Sequence, residues 1–292
     1  MDLHLVTRIA LFAGIEPDWL DVLRTDFMRN AMIGGVLVAV AAGLLGYFVV
    51  VRQHAFAAHA LAHIGFPGAT GAVLLGVPVT LGLAVFCVAG ALAIGALGPR
   101  AAEREVATGT ILAFATGLGV LFASLGTRNS SAVTSILFGN LLAVSPGQLV
   151  VFGAFTLGLG VAMAVVARPL VFASVNPQVA AARGVPVTVL GVVFLVLLAL
   201  VVTMAVQVVG TLLLFGLVVT PSATALIVTA RPALIVVAST AIGVVAVVGG
   251  LTLSAVFNLP PSFFIVSITT AAWLVALSAR ALRRRAGRHA PA

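Results

Sequence analysis

The chain has 292 residues, of which 62% are apolar and 8% charged, and its mean hydropathy is +1.28. A soluble domain is about 45–50% apolar and about 25% charged, so this composition excludes an ordinary soluble globular domain, a disordered chain and a nucleic-acid binder. The net charge of +8 comes from fifteen arginines with no lysine, which rules out a G-x-x-x-x-G-K-[ST] phosphate loop and Schiff-base chemistry.

The seven acids are Asp2, Glu16, Asp18, Asp21, Asp26, Glu103 and Glu105, with none between 27 and 102 and none after 105. Paired-carboxylate catalysis and a carboxylate proton relay in the apolar region therefore have no members. The single cysteine, Cys87, lies in an apolar run. It has no partner for an intrachain disulfide and is expected to pack.

Three regions are expected: an N-terminal amphipathic interfacial segment over 1–30, a transmembrane domain over 31–280 and a basic cytoplasmic tail over 281–292. Residues 16–30 place Trp19, Leu20, Leu23, Phe27 and Met28 on one helical face and Asp18, Asp21 and Asp26 on the other, as in a helix lying at a membrane surface. No basic segment precedes a short apolar core there, so a cleaved signal peptide is not expected.

Apolar runs then predict spans near 31–51, 57–76, 78–97, 107–126, 148–167, 187–206, 208–228, 233–255 and 262–280. Each approaches the roughly 20 residues that cross the hydrocarbon core, and each must be helical because lipid offers no partner to a free backbone group. The fold class is thus all-α, a polytopic bundle of about eight to nine spans. A further apolar piece, 132–145, is too short to span comfortably and is expected to be re-entrant or interfacial.

Arg280, Arg283, Arg284, Arg285 and Arg288 follow the last span and set the C-terminus inside by the positive-inside rule. Counting back puts Arg231 and the 168–186 loop inside and 258–262 outside. If 132–145 does not span, Arg52, Arg100 and Arg104 are also inside and the N-terminus is outside; if it does, the first half inverts.

Two constellations bear on function. In RQHAFAAHALAHIGFPGATG (52–71), His59 and His63 are four apart and share one helical face, the spacing by which two imidazoles hold one transition ion. His54 lies elsewhere around the helix and makes a poor third ligand. Ionisable groups inside a span are functional candidates by default, although two such histidines can also bond neighbouring carbonyls. Gly65, Pro67 and Gly68 in the same run, and Pro221 further on, are expected to break their helices beside a substrate path.

The second constellation is RPLVFASVNPQVAAARGVP (168–186). Asn176 is suited to cap a short helix, Pro177 to open it, Gln178 to Arg183 to form about two turns and Gly184 to end it. Such a helix serves as a docking element for another protein or, equally from local chemistry, as a connector.

The segments FMRNAMIGGVLVAVAAGLLGYFVVVRQHAF, AHALAHIGFPGATG, ILFGNLLAVSPGQL, NPQVAAARGVPV, VVGTLLLFGLVVTPSATA and GGLTLSAVFNLPPSFFIV, in order between about 27 and 280, make the chain resemble the permeases of the ABC-3 family of metal-uptake ATP-binding-cassette importers. That family includes zinc permeases and manganese and iron relatives. The resemblance implies a fold like that of the vitamin B12 importer permease and a homodimer in the plasma membrane. It also implies a separate cytosolic ATPase docked at the loop of Asn176, Pro177, Gln178, Arg183 and Gly184, and an extracytoplasmic solute-binding protein. It implies metal in transit at an Asp and a His four apart. Here His63 matches the His, and His59 stands where the Asp is expected.

A nitrogen ligand in place of an oxygen favours zinc over manganese or iron. The expectation is therefore a zinc permease subunit with no resident cofactor and no enzymatic activity of its own. A secondary transporter of a small organic solute is the alternative from another class. A membrane metalloenzyme would need a glutamate in His59-Ala60-Leu61-Ala62-His63, and none is there.

Overall fold

The computed structural model describes residues 19–96, 101–126 and 135–288, with the side chains of all but 101–105, 212 and 285–288. The features expected of residues 1–18, Arg100, 132–134 and 289–292, and of the Arg104, Arg285 and Arg288 side chains, lie outside the described residues.

The described chain is a helical bundle in which eight helices are long and apolar enough to cross a membrane. In chain order its elements are α1 (Trp19–Arg24), α2 (Asp26–Val51), α3 (Ala55–Leu75), α4 (Val79–Ala96), α5 (Ala101–Leu125), a 3-10 turn (Leu141–Ala143), α6 (Pro146–Val175) and α7 (Pro177–Ala182). They continue with α8 (Val187–Val218), α9 (Thr220–Val228), α10 (Pro232–Phe257) and α11 (Pro261–Arg288).

The amphipathic helix expected over 16–30 is divided. Thr25 takes an extended backbone and α2 starts at Asp26, with Thr25 Oγ1 donating to the Val22 carbonyl. Phe27 and Met28 therefore open the first long helix, and Met28 is buried. Ion pairs between Asp21 and Arg24 and between Asp26 and Arg29 suit a polar end to that helix. The boundary expected at 280 is likewise not a break, because α11 continues to Arg288.

The expected spans 187–206 and 208–228 are joined differently. Helix continues through 206, and the break falls at Gly210, whose φ of 81° and ψ of 170° are not helical. A second offset at Val219 precedes α9. Beyond Gly210 the chain runs beside α11 in the same direction. Gly216 meets Val266, and Ile227 and Val228 line one notch with Ala276, Ala279, Arg280, Arg283 and Arg284. The segment 211–228 thus returns across the bundle as a broken helix, although neither of its pieces is long enough to span alone.

The 135–143 segment does not cross. It forms one helical turn, a non-helical pair at Gly139 and Asn140, and the 3-10 turn. The Asn140 N–H donates to the Gln207 carbonyl at 3.1 Å, and Ser262 Oγ donates to the Phe138 carbonyl at 2.9 Å.

Because lipid tails are as apolar as these side chains, helices associate through close packing and buried hydroxyl bonds. Gly43 of α2 lies against the Thr240 backbone of α10, and Gly35 against Val247, so the two helices run antiparallel. Ser222 Oγ donates to Ser239 Oγ at 2.8 Å, and Ser239 Oγ to the Gly43 carbonyl at 3.4 Å, tying α9 and α10 to α2. The central helices are α2, α3 and α8, and α5, α6 and α11 present much more surface outward.

A Cβ on Gly43 would stand 2.8 Å from Thr240 Cα. Gly43→Ala is therefore expected to part α2 from α10 and cost about 1–3 kcal/mol, read as a lowered unfolding midpoint in detergent.

Candidate metal path and loop helix

Helix α3 follows a tight turn in which His54 is the N-terminal flanking residue. Its Nδ1 lies 2.6 Å from the Arg52 carbonyl oxygen, and its ring stands edge-on to Phe194. Arg52 lies over the same Phe194 ring and donates to Ser174 Oγ at 3.2 Å. His54 is thus engaged at the helix start, as its poor register with the other two histidines suggested.

One turn further on, His59 and His63 bring their ring centroids to 4.7 Å at an interplanar angle of 70°. Both are partly buried. His59 Nδ1 is buried with no hydrogen-bond partner, an arrangement that is costly unless something else satisfies it. Among the described residues no cluster of three or more His, Cys, Asp or Glu side chains has metal-holding geometry, so the pair supplies two donors and no more. Cys87 packs into the back of the helix, donating to the Leu61 carbonyl at 3.3 Å.

Pro67 does not open α3. The helix runs through Gly65, Phe66, Pro67 and Gly68 to Leu75, contrary to the expected break. Gly68 and Gly82 bring α3 and α4 into backbone contact, Gly65 takes Cys87, and Gly119 of α5 fits over Phe66 and Pro67. Tight packing around the proline and the Thr70 hydroxyl bonded to Phe66 O and Pro67 O keep the helix continuous. Pro67 still has one chemical consequence. It has no N–H for the carbonyl four residues before it, that of His63, so that carbonyl lacks its usual helical donor.

The discontinuity is at Gly210 and in α9, where Pro221 occupies the first turn. Gly139 and Gly210 have φ of 80° and 81° and press backbone to backbone. A Cβ on Gly139 would meet Val208 O and Gly210 N, and one on Gly210 would meet Leu137 O and Gly139 N. Gln207, next to this junction, accepts from Thr80 Oγ1 at 2.8 Å and from Gln148 Nε2 at 3.3 Å, joining the starts of α4 and α6 to α8. Sequence reasoning marked Gly139 only as part of Phe138-Gly139-Asn140 in the ILFGNLLAVSPGQL segment and did not single out Gly210 or Gln207. The signal available was a glycine in each of two quoted segments, among thirty glycines.

On the opposite end, Asn176 Oδ1 accepts from the Val179 N–H at 3.1 Å. Pro177 opens α7, and Gly184 closes the turn at φ 80°. Ala180 is buried, and Gln178, Val179 and Arg183 face outward. Arg52, α7 and the start of α10 share this end, whereas the start of α2, the 139–145 segment and the 258–260 turn share the other. Asn176→Ala should cost about 1 kcal/mol of local helix stability, seen as faster amide exchange over 177–182 with the long helices unchanged.

A family model described as the ABC 3 transport family matches residues 24–280. The manganese transport system membrane protein MntC of Halalkalibacterium halodurans is 30% identical over 261 residues, covering 87% of this chain and 88% of that protein. The manganese import system permease protein ScaB of Streptococcus parasanguinis is 29% identical over 269 residues, covering 90% and 94%. Among solved structures, a chain of PsaBC from Streptococcus pneumoniae in complex with Fab aligns with a TM-score of 0.80 at 28% identity, covering 89% of this chain and 94% of that one. An inward-facing metal-chelate type ABC transporter shares the fold, with a TM-score of 0.73 at 16% identity.

Proposed function

The chain belongs to the ABC 3 transport family of metal-ion ABC transporter permeases, and on that premise we propose that it is the permease subunit of a manganese importer in the plasma membrane. In this reading two copies form the path and a cytosolic ATPase docks at Asn176, Pro177, Gln178, Arg183 and Gly184. A solute-binding protein delivers the ion to the opposite face, and the C-terminus is cytoplasmic.

The observation that carries the choice of ion is similarity along nearly the whole chain to proteins named for manganese transport. This displaces zinc, which the His59 substitution favoured. A physical reason makes the two compatible. Zinc binds a given nitrogen site more tightly than manganese does, and conduction requires a site weak enough to release. Two imidazoles and no more would hold manganese loosely enough to pass and zinc tightly enough to linger.

The test is ion flux into vesicles containing permease, ATPase and binding protein, with manganese, zinc and iron compared. Manganese should accumulate, and zinc should slow it. Accumulation of zinc with manganese ignored would return the assignment to zinc.

A further inference from the structure

We propose that the tail end of α11 and the end of α9 form a binding site for one anionic phospholipid of the adjacent leaflet, with its phosphate held by Arg280, Arg283 and Arg284. The three arginines line a notch of about 280 Å³ whose remaining walls are Ile227, Val228, Ala276 and Ala279. All three side chains are exposed. The chain has no acid after Glu105, and the ion pairs seen among the described residues, Asp21–Arg24 and Asp26–Arg29, lie near the far end of the bundle. Among the described side chains no acid pairs with these three cations, and an anion from outside would match them.

The apolar half of the notch argues for a lipid. Ile227 and Val228 end a returning helix, and α11 continues into the apolar region with Leu274 and Val275 exposed. The site therefore presents positive charge at headgroup level and hydrocarbon-compatible surface next to it. Basic pockets between membrane helices on this side are recognised headgroup sites. The helix extends about one turn past Arg284 to Arg288, so the partial negative charge at its end is set back from the notch. α11 packs on α8, α9 and α10, whereas α7 packs on α6 and α8, which separates this site from the loop helix. The inference rests on the cytoplasmic C-terminus proposed above and is independent of which ion the chain moves.

Trp273 lies on α11 seven residues before Arg280, two helical turns into the apolar region, and serves as a reporter once Trp19→Phe silences the other tryptophan. The full-length chain is placed in nanodiscs of phosphatidylcholine containing a small fraction of acyl-brominated phosphatidylglycerol or acyl-brominated phosphatidylcholine. Quenching of Trp273 should show a preference of about fivefold for phosphatidylglycerol, the order that one arginine supplies near an anionic surface, and 0.5 M salt should reduce it. Arg280→Gln/Arg283→Gln/Arg284→Gln should abolish the preference, and Arg24→Gln/Arg29→Gln should leave it intact.

Equal quenching by the two lipids overturns the proposal. So does a preference that survives the triple substitution, or one that 20 mM inorganic phosphate removes, which would make the ligand free phosphate. A triple variant that loses its ATPase in co-purification, from a parent with no lipid preference, would assign the arginines to that partner instead.

Discussion

Replacing both His59 and His63 with alanine should reduce metal uptake at least about 10–100-fold, because loss of a ligand costs no less than loss of a group that merely orients one. The permease should still assemble with its ATPase. The pair sits on the partly open face of α3, one turn apart, with the two rings packed edge to face on each other. Alanine is compatible with the helix at both positions, so the fold does not depend on the imidazoles. The readout is initial-rate uptake in vesicles alongside co-purification and melting of the same variants. Unchanged flux in the double variant would remove the pair from the path. His59→Asp sharpens the test. A carboxylate oxygen favours harder ions, so manganese flux should persist and inhibition by zinc should weaken.

The second large effect is expected at the Gly139–Gly210 junction. At φ 81° and ψ 170°, Gly210 occupies a region essentially closed to other residues, where strain alone costs of order 1–3 kcal/mol. A methyl group there would also strike the Leu137 carbonyl and Gly139 N, adding about 1–3 kcal/mol of overpacking. Gly210→Ala should therefore destabilise the permease by about 3 kcal/mol and abolish transport by displacing the 135–143 segment. Gly139→Ala should act in the same way through Val208 and Gly210. The control is Gly158→Ala on α6, where an added Cβ has nothing within 4 Å and the change should be silent. A Gly210→Ala protein that melts and transports like the parent would show that this contact is not what orders the 135–143 segment.

These two sites differ in how visible they were before the structure. Most spans were legible because hydropathy alone reports them, as with Ala55–Leu75 and Pro232–Phe257. The Asn176 helix was legible because capping is local: the asparagine, the proline and the glycine all act within nine residues. That 135–143 does not cross agrees with the shortness of the apolar run that contains it.

The break at Gly210 was not legible. It is imposed by a glycine seventy-one residues away in sequence, in an apolar run whose pattern does not change there. Pro67 misled for the complementary reason. A proline is a strong local signal, but in this bundle Gly68, Gly82, Gly119 and Thr70 together hold the helix intact around it. At the N-terminal end, the apolar face of 16–30 continues evenly across Thr25, so its period concealed the change of direction that the Thr25 hydroxyl stabilises. The pairing of His59 and His63 was legible from spacing, whereas the packing of the helix beyond them required knowing that α3 stays helical through Pro67.

The most direct test of the central claim is metal accumulation by vesicles carrying this chain, measured with and without its ATPase and with ATP or a non-hydrolysable analogue. The account predicts accumulation of a first-row divalent ion against its gradient when permease, binding protein and ATPase are present with hydrolysable ATP, and none when the ATPase is left out. Uphill uptake by the chain alone, or no movement of manganese, zinc or iron by the full assembly, would contradict it.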